Sequence, residues 1–151
     1  MLIREAGIIR QGLPIIFATY HRASREQVDF TGTSGFMSGL LSFAECLMTP
    51  IEYFESSRYS IIFKKGNIED NEGIIEEIIA FIVLDKDYRL EKYLHKTILP
   101  LLERLLKKFI SRFNGSNFTK AKQFDSFRYT IDKIFGSGTL TLEEKVASLI
   151  T

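Results

Sequence analysis

The residue types that most often carry out chemistry are few in this sequence and lie far apart. Only His21, Cys46 and His95 could supply soft metal ligands, whereas a closed zinc site takes four ligands, usually in close pairs. No Gly-x-x-x-x-Gly-Lys-Ser/Thr loop is present to hold a nucleotide phosphate, and no Gly-x-Ser-x-Gly turn to present a nucleophilic serine. The sequence therefore predicts no catalytic residue, no metal site and no cofactor, and we expect the protein not to be an enzyme.

Three weaker signals have simpler structural interpretations. Cys46 follows Glu45, and a neighbouring carboxylate disfavours the reactive thiolate, so an inert cysteine is favoured. The Gly-Ser-Gly segment at residues 136–138 follows a predicted helix rather than a strand, which indicates a turn. The acidic pairs at residues 69–70 and 76–77 are typical of solvated charges at loops and strand ends, not of a catalytic pair.

Length and composition indicate one globular domain, residues 1–151. The chain contains 45% hydrophobic and 26% charged residues, which is ordinary for a globular protein. One cysteine allows no internal disulfide, and no apolar run approaches the roughly 20 residues that span a bilayer. The first residues lack the features of a signal peptide. We therefore expect a cytoplasmic protein.

Charge is distributed unevenly along the chain. Residues 1–85 contain 7 Lys and Arg against 12 Asp and Glu, whereas residues 86–151 contain 13 against 7. The basic half includes a set on one predicted helix: Lys96, Arg104, Lys107, Lys108 and Arg112. Glu103 interrupts this set, no aromatic residues alternate with it and the sequence pI is near 7.8, so we expect no nucleic-acid binding. Two interpretations of the set remain open, a solvated helix face and a peripheral contact with anionic lipids at a membrane.

The most distinctive stretch, residues 34–48, predicts an amphipathic helix. At about 100° per residue its large apolar side chains share one arc, and small or polar residues share the other. That second arc contains Ser34, Gly35, Ser38, Gly39, Ser42 and Glu45. We call its five small residues, at 34, 35, 38, 39 and 42, the slim face. Glycine and serine are poor helix formers, so we infer that another backbone approaches this face closely.

Five segments are predicted to be strands: residues 2–10, 13–21, 51–56, 59–65 and 74–84. The first two form a hairpin, because Gln11-Gly12 separates two apolar runs. Residues 67–73 are predicted to be an acidic, flexible loop. Residues 78–84 are apolar at every position, which is typical of a strand buried on both faces. Helices are therefore expected on both sides of the sheet.

The C-terminal half is predicted to be helical. Residues 87–113 place large apolar side chains in one wide arc, with a kink expected at Pro100. Leu99, Leu106 and Ile110 lie outside this arc, so we expect the segment after residue 113 to cover them. That segment has apolar residues at helical spacing: Phe124, Phe127, Ile131, Ile134 and Phe135.

The predicted order is β-β-α-β-β-β-α-α, an α+β fold whose five-stranded, mainly antiparallel sheet has one helix on one face and two or more on the other. Three further features are Gly12-Leu13-Pro14-Ile15-Ile16-Phe17 in the second strand, the helix start at residues 34–41 and the apolar strand closing at Asp85. Together these resemble the longin domains, which are profilin-like, and especially the small stand-alone longin or roadblock-like proteins of archaea related to eukaryotes. The resemblance covers about residues 1–113, which leaves 114–151 as a C-terminal helical extension.

The resemblance implies a non-enzymatic interaction module or scaffold of the trafficking or small-GTPase-regulating type. Its partner would be a small GTPase, a longin or roadblock domain, a peptide, or a second copy of this chain. We place the partner contact on the slim face (Ser34, Gly35, Ser38, Gly39 and Ser42) and on Tyr53 of the neighbouring strand, where a partner backbone can come close. The alternative is that the C-terminal segment covers this face within the same chain.

A second class of function is a small-molecule sensor that holds a ligand between the sheet and a helix. Such a site needs a cavity with a few polar groups inside, whereas the predicted core positions are large and apolar. A ligand that co-purifies with the protein would favour this class.

The variant Gly39→Leu tests the slim face. We expect the leucine side chain to keep a partner backbone away, so the complex or dimer is lost while the protein stays folded. Light scattering after size exclusion measures the association, and circular dichroism measures folding. Unfolding of the variant would instead indicate that the C-terminal segment covers this face.

Overall fold

The computed structural model describes residues 3–20, 53–55 and 59–135, which form an antiparallel sheet with helices packed against it. Its strands are β1 (Ile3–Arg10), β2 (Leu13–Thr19), β3 (Tyr53–Glu55), β4 (Tyr59–Glu69) and β5 (Ile75–Asp85). They lie in the order β2-β1-β5-β4-β3, and each neighbouring pair is antiparallel. The predicted α+β class with an antiparallel sheet is confirmed, and the described strands form one five-stranded sheet. The predicted helix at residues 34–48 lies outside the described residues.

The β1–β2 hairpin forms as the sequence predicts. Gln11 and Gly12 have φ angles of 52° and 77°, and two consecutive positive φ values match the right-handed twist of paired strands. Pro14 lies opposite Ile9, just beyond a one-residue shift in register. β2 is at one end of the strand order, where a residue without a backbone N–H is tolerated.

The hairpin between β4 and β5 is longer than predicted. Residues 67–69, predicted to be part of a flexible loop, continue β4, and Glu69 pairs with Ile75. The turn is tight because the Asp70 carboxylate accepts hydrogen bonds from the backbone N–H groups of Glu72 and Ile74, at 2.8 and 2.9 Å. The prediction of a loop was wrong for residues 67–69, which belong to β4, and a single aspartate closes the turn that remains.

β5 is the central strand, and it is buried on both faces as its apolar sequence predicts. Each residue from 78 to 84 is at most 4% exposed. Alternate residues of a strand point to opposite sides of a sheet. Ile78, Ala80, Ile82 and Leu84 accordingly belong to one apolar cluster, which also contains residues from every described helix. Ile79, Phe81 and Val83 belong to a second cluster on the other face.

The described helices follow β5 and lie over the first of these faces. They are α1 (Leu90–Tyr93), a π-helical turn (Leu94–Ile98), α2 (Leu99–Phe113), a 3₁₀-helix (Ala121–Phe127) and α3 (Arg128–Phe135). The helix is interrupted as predicted, because a π-helical turn ends two residues before this proline. The predicted kink at Pro100 stays a prediction. Proline cannot donate the bond expected at its position, and its ring crowds the carbonyl four residues earlier. None of the helices in these described ranges is long and apolar enough to cross a membrane.

One prediction about α2 was wrong. Leu106 was expected to be covered by the C-terminal segment, but it is buried against the sheet and lies over Gly66 of β4. Leu99 and Ile110 are partly buried at the edge of the same cluster. The 3₁₀-helix and α3 instead contact β2, so they lie beside α2 on the same face of the sheet. The apolar arc of α2 is wider than the periodicity suggested because the sheet beneath it is broad.

Gly7 and Gly66 are both sites of close approach, and they differ in what a new methyl group would meet. At Gly7 a Cβ would lie against the Ile16 carbonyl oxygen and 2.6 Å from Phe17 Cβ, at the backbone of β2. At Gly66 a Cβ would lie 2.7 Å from Leu106 Cδ2, at the end of a flexible side chain.

We expect Gly7→Ala to destabilise the protein by roughly 3 kcal/mol or more, because the β2 backbone must move. Gly66→Ala is expected to cost about 1 kcal/mol or less, because Leu106 can change its rotamer and the unfolded chain loses entropy. Urea denaturation of both variants measures the difference. Equal losses of stability would contradict this account of the two contacts.

Candidate functional site

The predicted partner surface is described only in part. The slim-face residues Ser34, Gly35, Ser38, Gly39 and Ser42 lie outside the described residues, as do His21 and Cys46. Tyr53 is the first residue of β3, the strand at one end of the sheet, and it lies opposite Ile62 of β4. The prediction that Tyr53 belongs to a strand is confirmed, and its role in partner binding stays a prediction.

The acidic residues considered as catalytic pairs are engaged in the sheet. Glu76 accepts two hydrogen bonds from the Arg10 guanidinium, one of them 3.0 Å long, and this contact raises the pKa of Arg10. Glu77 forms an ion pair with Lys65 at 3.4 Å. In the part of the chain that the structure describes, no group of three or more His, Cys, Asp or Glu side chains is placed to hold a metal ion.

The structure brings together part of the predicted basic set. Lys107, Lys108 and Arg112 line a surface groove between α2 and α3, whereas Lys96 and Arg104 are exposed on the same helical segment but do not line it. The groove has a volume of about 340 Å³. Its lining, which we call the basic groove, consists of Lys107, Lys108, Ser111, Arg112, Phe127, Thr130 and Lys133.

Packed phenylalanines join α2 to the 3₁₀-helix that leads into α3, beside the basic groove. Phe109 and Phe113, on the buried side of α2, contact Phe124 and Phe127 of the 3₁₀-helix, with ring centroids 4.9 to 5.8 Å apart. Such pairs add to the free energy of burial when their rings meet edge to face or offset. Phe127 is fully buried and also forms the floor of the groove. The groove therefore lies on the surface directly beside this buried aromatic cluster.

A polar contact holds α3 against the sheet. The Tyr20 hydroxyl, just after β2, donates a 2.8 Å hydrogen bond to Oδ1 of Asp132 on α3. Burial of the ring and this hydrogen bond to a carboxylate both raise the pKa of Tyr20, so the hydroxyl keeps its proton. Asp132 precedes Lys133 in sequence, so the contact also sets the position of the second wall.

The charged groups of the groove differ in how firmly they are held. Arg112 donates a hydrogen bond to Ser126 Oγ, and its guanidinium carbon lies 5.3 Å from the centre of the Phe113 ring. Lys107 pairs with Glu103 at 3.3 Å, but these side chains are 74% and 46% exposed, so the pair contributes little to stability. Lys108 has no ion-pair partner among the described residues. Among the residues that the structure describes, four cations and no carboxylate line the groove, which makes this lining electropositive.

Sequence reasoning missed the second wall of the groove. Lys133, Thr130 and Ser111 were not singled out, although residues 130 and 133 are three apart and so lie on one side of a helix. The helical spacing placed Ile131, Ile134 and Phe135 on the apolar, core-facing side of α3. Residues 130 and 133 therefore lie beside this apolar side. The sequence carried no signal for which helix these two residues would face.

Comparison with known proteins yields no assignment. No family model matches the chain, and no curated protein matches its sequence. The fold and its surfaces are therefore the basis for inferring function.

The attachment of α3 can be tested with Tyr20→Phe. Loss of the hydroxyl leaves the half-buried Asp132 carboxylate without this hydrogen bond, so we expect a loss of stability of about 1 to 3 kcal/mol. Tyr129→Phe is the matched control, because Tyr129 lies on α3, the helix that carries Asp132, and its side chain is exposed. Urea denaturation measures both variants, and equal stability of the two would contradict a role for this contact.

Proposed function

We propose that this protein is a longin-like, non-enzymatic interaction module. It acts as a cytoplasmic scaffold for small-GTPase regulation or vesicle trafficking, and its partner is a small GTPase, a longin or roadblock domain, a peptide or a second copy of this chain. The observation that carries the proposal is the strand order β2-β1-β5-β4-β3 in an all-antiparallel sheet, entered through the β1–β2 hairpin.

The sheet suits a platform because its ends differ from its centre. β1, β5 and β4 each have a strand on both sides, whereas β2 and β3 lie at the two ends of the described order. A strand at the end of a sheet has backbone N–H and C=O groups that a partner segment can pair with. β3 is only 3 residues long and contains Tyr53, the one predicted contact residue within the described ranges.

The polar groups of the described sheet support a non-enzymatic role. Arg4 with Asp85, and Arg10 with Glu76, form two-point contacts between β1 and β5 at opposite ends of the pairing. Bidentate pairs of this kind fix strand register. These charges therefore have a structural use in the described sheet.

The packing between sheet and helices supports an interaction module over a ligand sensor. The layer between β5 and α2 is filled by large side chains: Ile78, Ile82, Leu84, Leu102, Leu105 and Phe109. A sensor of the kind considered needs space and polar groups in that layer. The residues found there are apolar and at most 1% exposed.

The proposal predicts a defined complex. Light scattering after size exclusion, at several protein concentrations and with and without small GTPases from the same source, is expected to detect a dimer or a GTPase complex. Hydrogen exchange of the complex is then expected to show new protection in peptides that cover residues 34–42 and Tyr53. Peptides from residues 114–135 are the internal control and should exchange unchanged.

Two results would contradict the proposal. One is a monomer at all concentrations that binds none of the GTPases. The other is a complex whose protection avoids residues 34–42 and Tyr53, which would show that the partner surface was assigned to the wrong part of the chain.

A further inference from the structure

The basic groove has the composition of an anion site. Its walls carry four cationic side chains, Lys107, Lys108, Arg112 and Lys133, and its lining also includes the hydroxyls of Ser111 and Thr130. Lysine and arginine supply charge to a phosphate group, and hydroxyls supply shorter hydrogen bonds. Phe127 is fully buried behind these polar groups, so the lining is backed by the apolar core.

The cations come from two separate helices. Lys107, Lys108 and Arg112 lie on α2, and Lys133 lies on α3. Like charges that face one another across a groove repel, and an anion between them converts this repulsion into attraction. A ligand with charge on two sides would contact both walls, so more than one phosphate group suits the groove better than a single one.

A further cation lies beside the groove on α2. Arg104 is exposed one turn before Lys107 and Lys108 on α2, and residues at this spacing share one side of a helix. The positive surface therefore continues from the groove along α2. This continuation favours a ligand presented at a charged surface, such as a membrane, where juxtamembrane basic residues each contribute to binding.

We propose that the basic groove binds a compact anion with two or more phosphate groups, either the headgroup of a phosphorylated inositol lipid or the corresponding soluble inositol phosphate. Lys108 and Lys133 contact the phosphates from opposite walls. Arg112, held by Ser126 and Phe113, presents a fixed guanidinium. None of the groove residues belongs to the predicted partner contact at residues 34–42 and Tyr53, so the two proposals can fail independently.

The first experiment measures binding of inositol hexakisphosphate by isothermal titration calorimetry at physiological salt. We expect the double variant Lys108→Glu/Lys133→Glu to weaken binding at least about tenfold, because it replaces attraction on both walls by repulsion. The matched control is Lys120→Glu/Lys122→Glu, which changes net charge equally at two exposed residues that do not line the groove. The control is expected to bind as the wild type does.

A milder variant guards against loss of folding. Lys108→Glu alone changes one exposed residue without an ion-pair partner among the described residues, and we expect it to weaken binding severalfold with an unchanged circular dichroism spectrum. Amide NMR shifts on titration are expected at Ser111 and Thr130 and not at Lys120 or Lys122.

Vesicle sedimentation separates the two sources of the anion. Phosphatidylcholine vesicles are compared with vesicles that also contain phosphatidylserine or a bisphosphorylated inositol lipid. Binding to the inositol-lipid vesicles that soluble inositol phosphate displaces identifies the headgroup as the ligand. Binding of inositol hexakisphosphate without any vesicle binding identifies a soluble anion.

The proposal is overturned if the groove and control variants lose affinity equally, since the interaction would then follow net charge alone. It is also overturned if the wild-type protein binds neither the soluble probe nor any vesicle at physiological salt, where the screening length is about 8 Å.

Discussion

The two-sided burial of β5 is the constraint on which the rest of this structure depends. A strand with no exposed face needs a neighbour on each edge and a cover on each side. β1 and β4 supply the edges, and the helices from Leu90 to Phe135 supply one cover. The position of α2 follows from this, because its apolar arc must lie over Ile78, Ala80, Ile82 and Leu84. Each residue from 78 to 84 is nearly inaccessible to water. Nearly all of its apolar surface therefore contributes hydrophobic free energy to folding.

Once α2 lies over β5, its far end is held by the β4–β5 hairpin. The backbone N–H of Gly115 donates to the Glu69 carbonyl at 2.7 Å, and the Glu69 N–H donates to Asn114 Oδ1 at 2.8 Å. These two hydrogen bonds tie the residues that follow α2 to the last residue of β4, beside the hairpin turn. The chain then turns back at Phe118 and Phe124, which join the aromatic cluster of α2. The basic groove is a result of this return, because it places α3 beside α2.

Sequence reasoning predicted the parts of the fold that depend on local patterns. The Gln11-Gly12 turn, the uninterrupted apolar strand and the helix interruption near Pro100 each have a cause within a few residues of chain, and each was found. The errors concern contacts between distant segments. Nothing near Leu106 in sequence indicates that Gly66 leaves room for it in the sheet. Likewise, Lys133 meets Lys107 and Lys108 only because aromatic packing brings two helices together. The slim face at residues 34–42 lies outside the described residues, so that part of the predicted site stays a prediction.

The position of β1 has a consequence for how the protein is made. β1 pairs with β5, and the Arg4–Asp85 contact joins residues 81 positions apart. During synthesis the β1–β2 hairpin therefore leaves the ribosome with one edge of β1 open until β5 has also emerged. Pairings between distant segments form slowly, and apolar edges that wait for a partner are prone to aggregation. Arg4 and Arg10, near the two ends of β1, keep that waiting edge charged until Asp85 and Glu76 arrive to neutralise it.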